Sequence, residues 1–470
     1  MAGAARAAGA AALVVLLAGG AYATADALDA VPGVLTLAAP PAAPAPFPTA
    51  PGAVVPSAVP TALPPLDPAA PLPDPAAVAA LVDGLVADPR VGPGVGVLVA
   101  DALTGTTLAE RGADGARVPA STQKVLTAVA ALETLGAAST TTTRVVRGAG
   151  DAVVLVGGGD MMLGAGAGDP DAVSGHAGLG DLADRVAAAL ALEGVTSVTL
   201  GVDDSLFPGP TLSPGWKPED VAAGYVAPVT ALAVDVAKLG PGEYPPRAPD
   251  PSLAAARTFA QRLAERGVTV RGAPARAVAA PGAPELASVT SAPLSEVVHH
   301  FLDTSDNTIT EVVARQVALA EGLPASFDGS TQAVLLVLGR LGLDTSGARL
   351  ADASGLATGS ALTARLLGDV LLRVVDPAAP QLRGIAAGMP VAGLTGTLAD
   401  RYTRSDARGL VRAKTGSLPG VTALAGTVVD ADRRELVFVV LADATGAAGQ
   451  GPPRSAVDGF VAALAGCGCR

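Results

Sequence analysis

The chain has 470 residues, half of them hydrophobic, which is enough apolar material for a large core and more than one compact unit. A net charge of −12 with no basic cluster argues against a nucleic-acid partner. Two cysteines, Cys467 and Cys469, are too few for a zinc site or a disulfide framework. A bridge across the single intervening Gly468 would be strained, so they are read as a frayed tail without a catalytic role.

Residues 7–25 carry no charge and follow Arg6, with Leu13-Val14-Val15-Leu16-Leu17 as the densest apolar part. This predicts a signal peptide or membrane anchor within 1–30 and small-residue cleavage patterns near Ala23 and Ala25. The body of the protein is then expected in the extracytoplasmic cell envelope, secreted or held at the cytoplasmic membrane by its N-terminus. A Pro/Ala-rich linker over 31–75 follows, extended and unable to bury a core.

The folded body begins near Pro75. The patterns predict a helix over 76–85, a strand over 94–100 with a hairpin partner over 105–111, and one strong helix over 121–135. Between Thr140 and Val289 short strands and turns prevail, at 144–147, 153–156 and 197–202, with a single helix over 182–193. Helices return over 296–301, 309–321 and 331–341. The C-terminal part reads as strands over 411–415, 421–429 and 435–442, with a turn at Asp430-Ala431-Asp432-Arg433, and a closing helix over 454–465. The expected class is mixed α/β (α+β). A catalytic domain over 76–138 and 291–470 is interrupted by an inserted domain over 139–290.

Lysine and asparagine are scarce. Only four of the 31 basic residues are lysines, and Asn307 is the one asparagine. Three short motifs hold two of these lysines and the asparagine. Ser121-Thr122-Gln123-Lys124 opens a helix, and a spacing of three puts hydroxyl and amine on one face. A serine is a weak nucleophile until a base takes its proton. Lysine can be that base once burial lowers its pKa, and arginine cannot. By itself the motif also fits an N-cap serine followed by a surface lysine.

Ser305-Asp306-Asn307 precedes the 309–321 helix and could be a simple cap. A cap, however, has no need of the chain's one amide of this kind, which offers both donor and acceptor. Lys414-Thr415-Gly416-Ser417 falls on a strand. There Gly416 leaves the backbone open to a ligand, and a cation with two hydroxyls suits a carboxylate. The ordered set Ser-x-x-Lys, Ser-x-Asn, Lys-Thr-Gly is that of serine enzymes acting on β-lactams and cell-wall peptides.

At these residues the sequence resembles the class C low-molecular-mass penicillin-binding proteins, the D-alanyl-D-alanine carboxypeptidase/endopeptidase family. Leu155-Val156-Gly157-Gly158-Gly159-Asp160, Pro214-Gly215-Trp216, Asp352-Ala353-Ser354-Gly355-Leu356 and 391–398 add to the likeness. Met161-Met162 departs from the Pro-Thr usual in that family. The resemblance implies a DD-peptidase/β-lactamase-like serine transpeptidase fold with an inserted smaller domain, and no cofactor or metal. It implies Ser121 as nucleophile, Lys124 as general base, and Ser305, Asn307 and Lys414 as proton relay and substrate holders. The backbone N–H groups of Ser121 and Ser417 would form the oxyanion hole, and Thr415, Gly416 and Ser417 would bind substrate. The partners implied are peptidoglycan peptides ending in D-Ala-D-Ala, with β-lactam antibiotics as inhibitors. A non-hydrolytic penicillin sensor and a β-lactamase share the same motif set and remain alternatives at this point. His176, His299 and His300 receive no role.

Overall fold

The computed structural model describes residues 17–28, 30–31, 35 and 68–468. The chain divides into two units, Met1–Pro64 and Pro65–Arg470. In the first, residues 17–27 are helical, and the Asp26 carboxylate accepts from the N–H of Leu35 at 3.2 Å. Residues 1–16 of the expected signal or anchor, and 36–67 of the Pro/Ala-rich linker, lie outside the described residues. Among those described, no helix is long and apolar enough to cross a membrane.

The second unit is organised by a five-stranded antiparallel sheet. Its order is Val411–Leu418, Val421–Val429, Glu435–Ala442, Val95–Asp101, Thr107–Arg111. The first strands of the folded body therefore close against the last, with Val97 opposite Val440. Val95–Asp101 is buried along its whole length, because its apolar residues serve both faces. Val95, Val97 and Val99 join Leu424, Phe438 and Val440 beneath helices Pro75–Val86 and Gly451–Ala465. Leu98 and Ala100 join Ala425, Val439 and Leu441 against a helical lobe made of Lys124–Leu135, Leu294–Thr304, Asn307–Ala320, Phe327–Arg340 and Ala364–Val375. The period-two alternation of each strand fixes this split and hence the register.

The 430–433 turn forms, with Asp430 Oδ1 accepting the N–H of Arg434 at 2.7 Å. The buried Arg434 guanidinium grips Asp101 through two bonds of 2.6 and 2.8 Å and also donates to the carbonyls of Pro68 and Ala70. That bidentate pair locks the start of the body to the C-terminal hairpin. At the other end, Cys467 is buried, so the chain packs against the body as far as this residue rather than fraying, and its thiol is in a disulfide. Position 469 lies outside the described residues.

The segment between the two halves of this sheet builds another. It has six strands, ordered Glu285–Thr290, Thr142–Arg147, Ala152–Val156, Ser197–Asp203, Thr269–Val270, with Ala275–Arg276 also on Ser197–Asp203. Two helices cover it, Leu179–Leu192 and Pro251–Glu265, through Leu182, Val186, Phe259 and Leu263. The second helix corrects the expectation of a single one. Its start signal was present in the sequence: the Asp250 side chain caps the N–H of Leu253 at 3.1 Å, and Pro251 occupies the first position. Met161 and Met162 are both buried in the short strand Asp160–Leu163, which pairs with Leu232–Val234.

Candidate active site

Ser121 does not open a continuous helix. It sits in a 3₁₀ turn, Ala120–Gln123, which runs into the α-helix Lys124–Leu135. Ala120 has φ +48°, a left-handed conformation that costs a non-glycine residue about 1–3 kcal/mol and persists only where packing enforces it. Two glycines supply that packing. A Cβ on Gly355 would lie 2.0 Å from the carbonyl oxygen of Ala120, and one on Gly416 would lie 2.7 Å from that of Pro119. The turn is thus clamped between the 352–356 loop and the Val411–Leu418 strand. The space beside Gly416 that the sequence reading gave to a ligand is filled by the chain itself. The bare backbone there admits the turn that carries Ser121.

Lys124 is fully buried. Its ammonium nitrogen donates to Ser121 Oγ at 3.0 Å, to Asn307 Oδ1 at 2.6 Å and to the carbonyl of Ser354 at 2.8 Å. Burial lowers its pKa to about 8, against the opposing pull of Asp352, Asp306 and Glu311. An amine that is half neutral near pH 8 and touches a serine hydroxyl is able to take that proton.

The second motif divides its labour. Asp306 is the helix cap, accepting the N–H of Ile309 at 2.8 Å. Asn307 is the first helical residue, half-buried, with its Oδ1 on Lys124 and its Nδ2 donating to the carbonyl of Tyr225 at 2.9 Å. The inserted segment therefore holds the amide in place. Ser305 ends the preceding helix with φ +59°, a strained conformation, and its Oγ accepts from Lys414 Nζ at 2.9 Å.

Lys414 is also fully buried and donates in addition to the carbonyl of Thr415 at 3.1 Å. Its pKa falls well below the ordinary lysine value, first through burial and then through the nearby charge of Lys124. Thr415 Oγ1 shares a hydrogen bond of 2.8 Å with Thr397, and Ser417 is exposed on the outermost strand of the sheet.

Several groups of this site escaped the sequence reading. Glu311, one helical turn beyond Asn307, is fully buried and accepts from the N–H groups of Ala353 (3.0 Å) and Ser354 (2.8 Å). It thereby fixes the segment whose Ser354 carbonyl meets Lys124. Burial, then the neighbouring Asp352, pushes the Glu311 pKa up to about 8. Asp352 accepts from the N–H groups of Gly355 and Ala357 and from Trp216 Nε1, at 2.7–2.8 Å. The Asp352-Ala353-Ser354-Gly355 string and Trp216 had been noted for their likeness, without a role. A lone acid on the apolar face of the 307–320 helix was the one local signal for Glu311.

An αβ sheet flanked by a helical lobe, with a serine hydroxyl against a buried amine at their junction, defines a serine hydrolase. The sequence profile of the D-Ala-D-Ala carboxypeptidase 3 (S13) family matches residues 78–246 and 245–464, and the chain belongs to this family of serine-type D-Ala-D-Ala carboxypeptidases. It is 38% identical over 408 residues to Carboxypeptidase Rv3627c of Mycobacterium tuberculosis, covering 84% of this chain and 85% of that protein. It is likewise 38% identical over 413 residues to Carboxypeptidase DacB of Mycolicibacterium smegmatis, covering 86% and 87%. Penicillin binding protein 4 (dacB) from Haemophilus influenzae shares the fold, with a TM-score of 0.66 at 23% identity over 82% of this chain and 98% of that one.

Proposed function

We propose that Ser121 opens the terminal D-Ala-D-Ala bond of peptidoglycan stem peptides through an acyl-enzyme, and that penicillin acylates the same hydroxyl. The observation that carries this reading is the fully buried Lys124 amine, 3.0 Å from Ser121 Oγ, with its pKa lowered to about 8. Neutral Lys124 takes the Ser121 proton as Oγ attacks the penultimate carbonyl. The oxyanion is received by the backbone N–H groups of Ser121 and Ser417. The proton then passes to the leaving D-Ala nitrogen by way of Ser305, whose Oγ rests on Lys414. Water attacks the resulting ester, Lys124 takes its proton and returns it to Ser121 Oγ as the C–O bond breaks, and the shortened peptide leaves. Asn307 holds Lys124 in line, and Thr415, Gly416 and Ser417 supply the outer strand on which the substrate backbone aligns.

The same reading divides the chain into 1–30, 31–75, 76–138, 139–290 and 291–470, and places the enzyme outside the cytoplasm, free or anchored by 1–30. It is supported by the separate sheet that the 142–290 strands build. The test is incubation with a D-Ala-D-Ala muropeptide and with penicillin. D-Ala release and an adduct on the Ser121 peptide are expected, both lost in Ser121→Ala. An adduct on Ser305 or Ser417 overturns the assignment.

A further inference from the structure

A cavity lies between the segment inserted into the sheet and the helical lobe. Its apolar walls are Met162 from the one and Leu294, Val297, Ile309, Val312 and Val313 from the other. Its volume is about 110 Å³, the order of size that holds a benzene-sized body. Met162, Leu294, Val297, Val312 and Val313 keep 4–7% exposure, whereas Val298, Phe301 and Val317 on the same two helices keep none. That residual surface is the cavity wall. Ser139, Thr140 and Thr141 line the outer side, where they are partly or fully exposed and leave a way in.

The cavity is not an extension of the catalytic site. Along helix Asn307–Ala320 the site uses Asn307 and Glu311, while the cavity takes Ile309, Val312, Val313 and Gln316. At about 3.6 residues per turn these two sets stand on opposite faces.

One acid lines the cavity. Asp160 is buried, its Oδ1 accepts from the N–H of Met162 at 2.7 Å, and its Oδ2 meets no donor among the described residues. Burial raises its pKa to about 6, with the charge of His176 opposing, so the group is a carboxylate at neutral pH. A buried carboxylate ordinarily has a cation or several N–H groups around it, and this one has a single N–H. Gln316 donates its amide N–H to the carbonyl of Gly158 at 2.9 Å, which leaves its Oε1 as a further acceptor.

We infer that this cavity is a binding site for a small apolar cation, a primary ammonium on a hydrocarbon body of benzene size. The ammonium sits on Asp160 and the body lies among Val297, Val312 and Val313.

The experiment is calorimetric titration of the full-length enzyme at neutral pH with benzylammonium, benzyl alcohol and benzoate, which share one body and differ in charge. Wild-type enzyme is expected to bind one benzylammonium at least about 10-fold tighter than benzyl alcohol, and to refuse benzoate. Asp160→Asn keeps the acceptor for the Met162 N–H and removes the charge, so the ammonium and the alcohol then bind alike. Val297→Leu puts a further carbon into the cavity and keeps the carboxylate, so both bind about 10-fold more weakly and the preference stays. No binding of benzylammonium to the wild type, or an ammonium preference that persists in Asp160→Asn, overturns the inference. An affinity unchanged in Val297→Leu overturns it too, since the ligand then sits elsewhere.

Discussion

Lys124 Nζ lies 2.6 Å from Asn307 Oδ1, nearer than it lies to Ser121. The Lys124 amine is therefore aimed by an amide from a helix far along the chain, and its contact with Ser121 depends on that aim.

Asn307→Asp tests this relationship. Asp306 already caps the helix, so the change leaves the cap intact. It removes the donor to the Tyr225 carbonyl and sets a negative charge beside Lys124, which raises the lysine pKa. Acylation by penicillin is expected to slow by about 10²–10³-fold with an unchanged melting temperature. A wild-type rate would show that the amide is not needed.

The pH dependence follows from the Lys124 pKa of about 8. In the proposed reaction the neutral amine is the active form, so the acylation rate is expected to climb as pH rises toward 8 and to level off above it. Lys124→Arg, whose guanidinium keeps its proton, is expected to abolish this limb together with the activity. The stability contribution has its own sign. The folded pKa lies below the ordinary 10.5, so between pH 8 and 10.5 the unfolded chain binds more protons, and this group's contribution to stability rises with pH.

Glu311 behaves in the opposite sense. Its folded pKa of about 8 exceeds the ordinary 4.5, so its contribution is fully present below 4.5 and is lost as pH rises through 8. Glu311→Gln, neutral and nearly the same shape, is expected to flatten the fall of melting temperature between pH 5 and 8 and to keep acylation near normal at pH 7. Glu311→Leu leaves the Ala353 and Ser354 N–H groups buried without a partner, at about 1–3 kcal/mol each, and loosens the carbonyl on Lys124. Acylation should fall steeply in that variant. Equal rates in the two variants would remove Glu311 from the support of the site.

Gly355→Ala and Gly416→Ala probe the clamp on the nucleophile turn. The first puts a methyl 2.0 Å from a carbonyl oxygen at φ +77°, and the second puts one 2.7 Å from another. Gly355→Ala is expected to be the more destabilising, and both should lose acylation beyond their change in melting temperature. Overpacking of this kind costs about 1–3 kcal/mol or more. Thermal melts with penicillin labelling on the same samples decide the point.

The proposed catalytic set could be picked out in the sequence because rare residues betray a constraint. Lys124, Asn307 and Lys414 stand out in a chain that otherwise uses arginine and almost no asparagine. The sheet was legible too, since the 421–429 and 435–442 patterns match strands Val421–Val429 and Glu435–Ala442. What stayed hidden depends on contacts distant in sequence. Glu311 gains its importance from N–H groups 42 and 43 positions away, and no local pattern encodes that. The left-handed Ala120, which breaks the expected helix at Ser121, is imposed by Gly355 and Gly416 rather than by its neighbours. Helix Pro251–Glu265 was missed although Asp250-Pro251 announces it and Ala255, Ala256, Phe259 and Leu263 line its buried face.

The pairing of Val95–Asp101 with Glu435–Ala442 has a further consequence for how the enzyme comes into being. Translation yields Ser121 early, but the strand that completes its sheet is among the last segments to leave the ribosome. Until then a largely apolar ribbon has one side without a mate, and closing so long a loop is slow. A nascent chain, or one cut short before Val411, holds Ser121 without Lys414, the outer strand or Arg434's lock on Asp101. Such a chain lacks part of the proposed catalytic set, so activity is expected only once the C-terminal strands have joined the sheet.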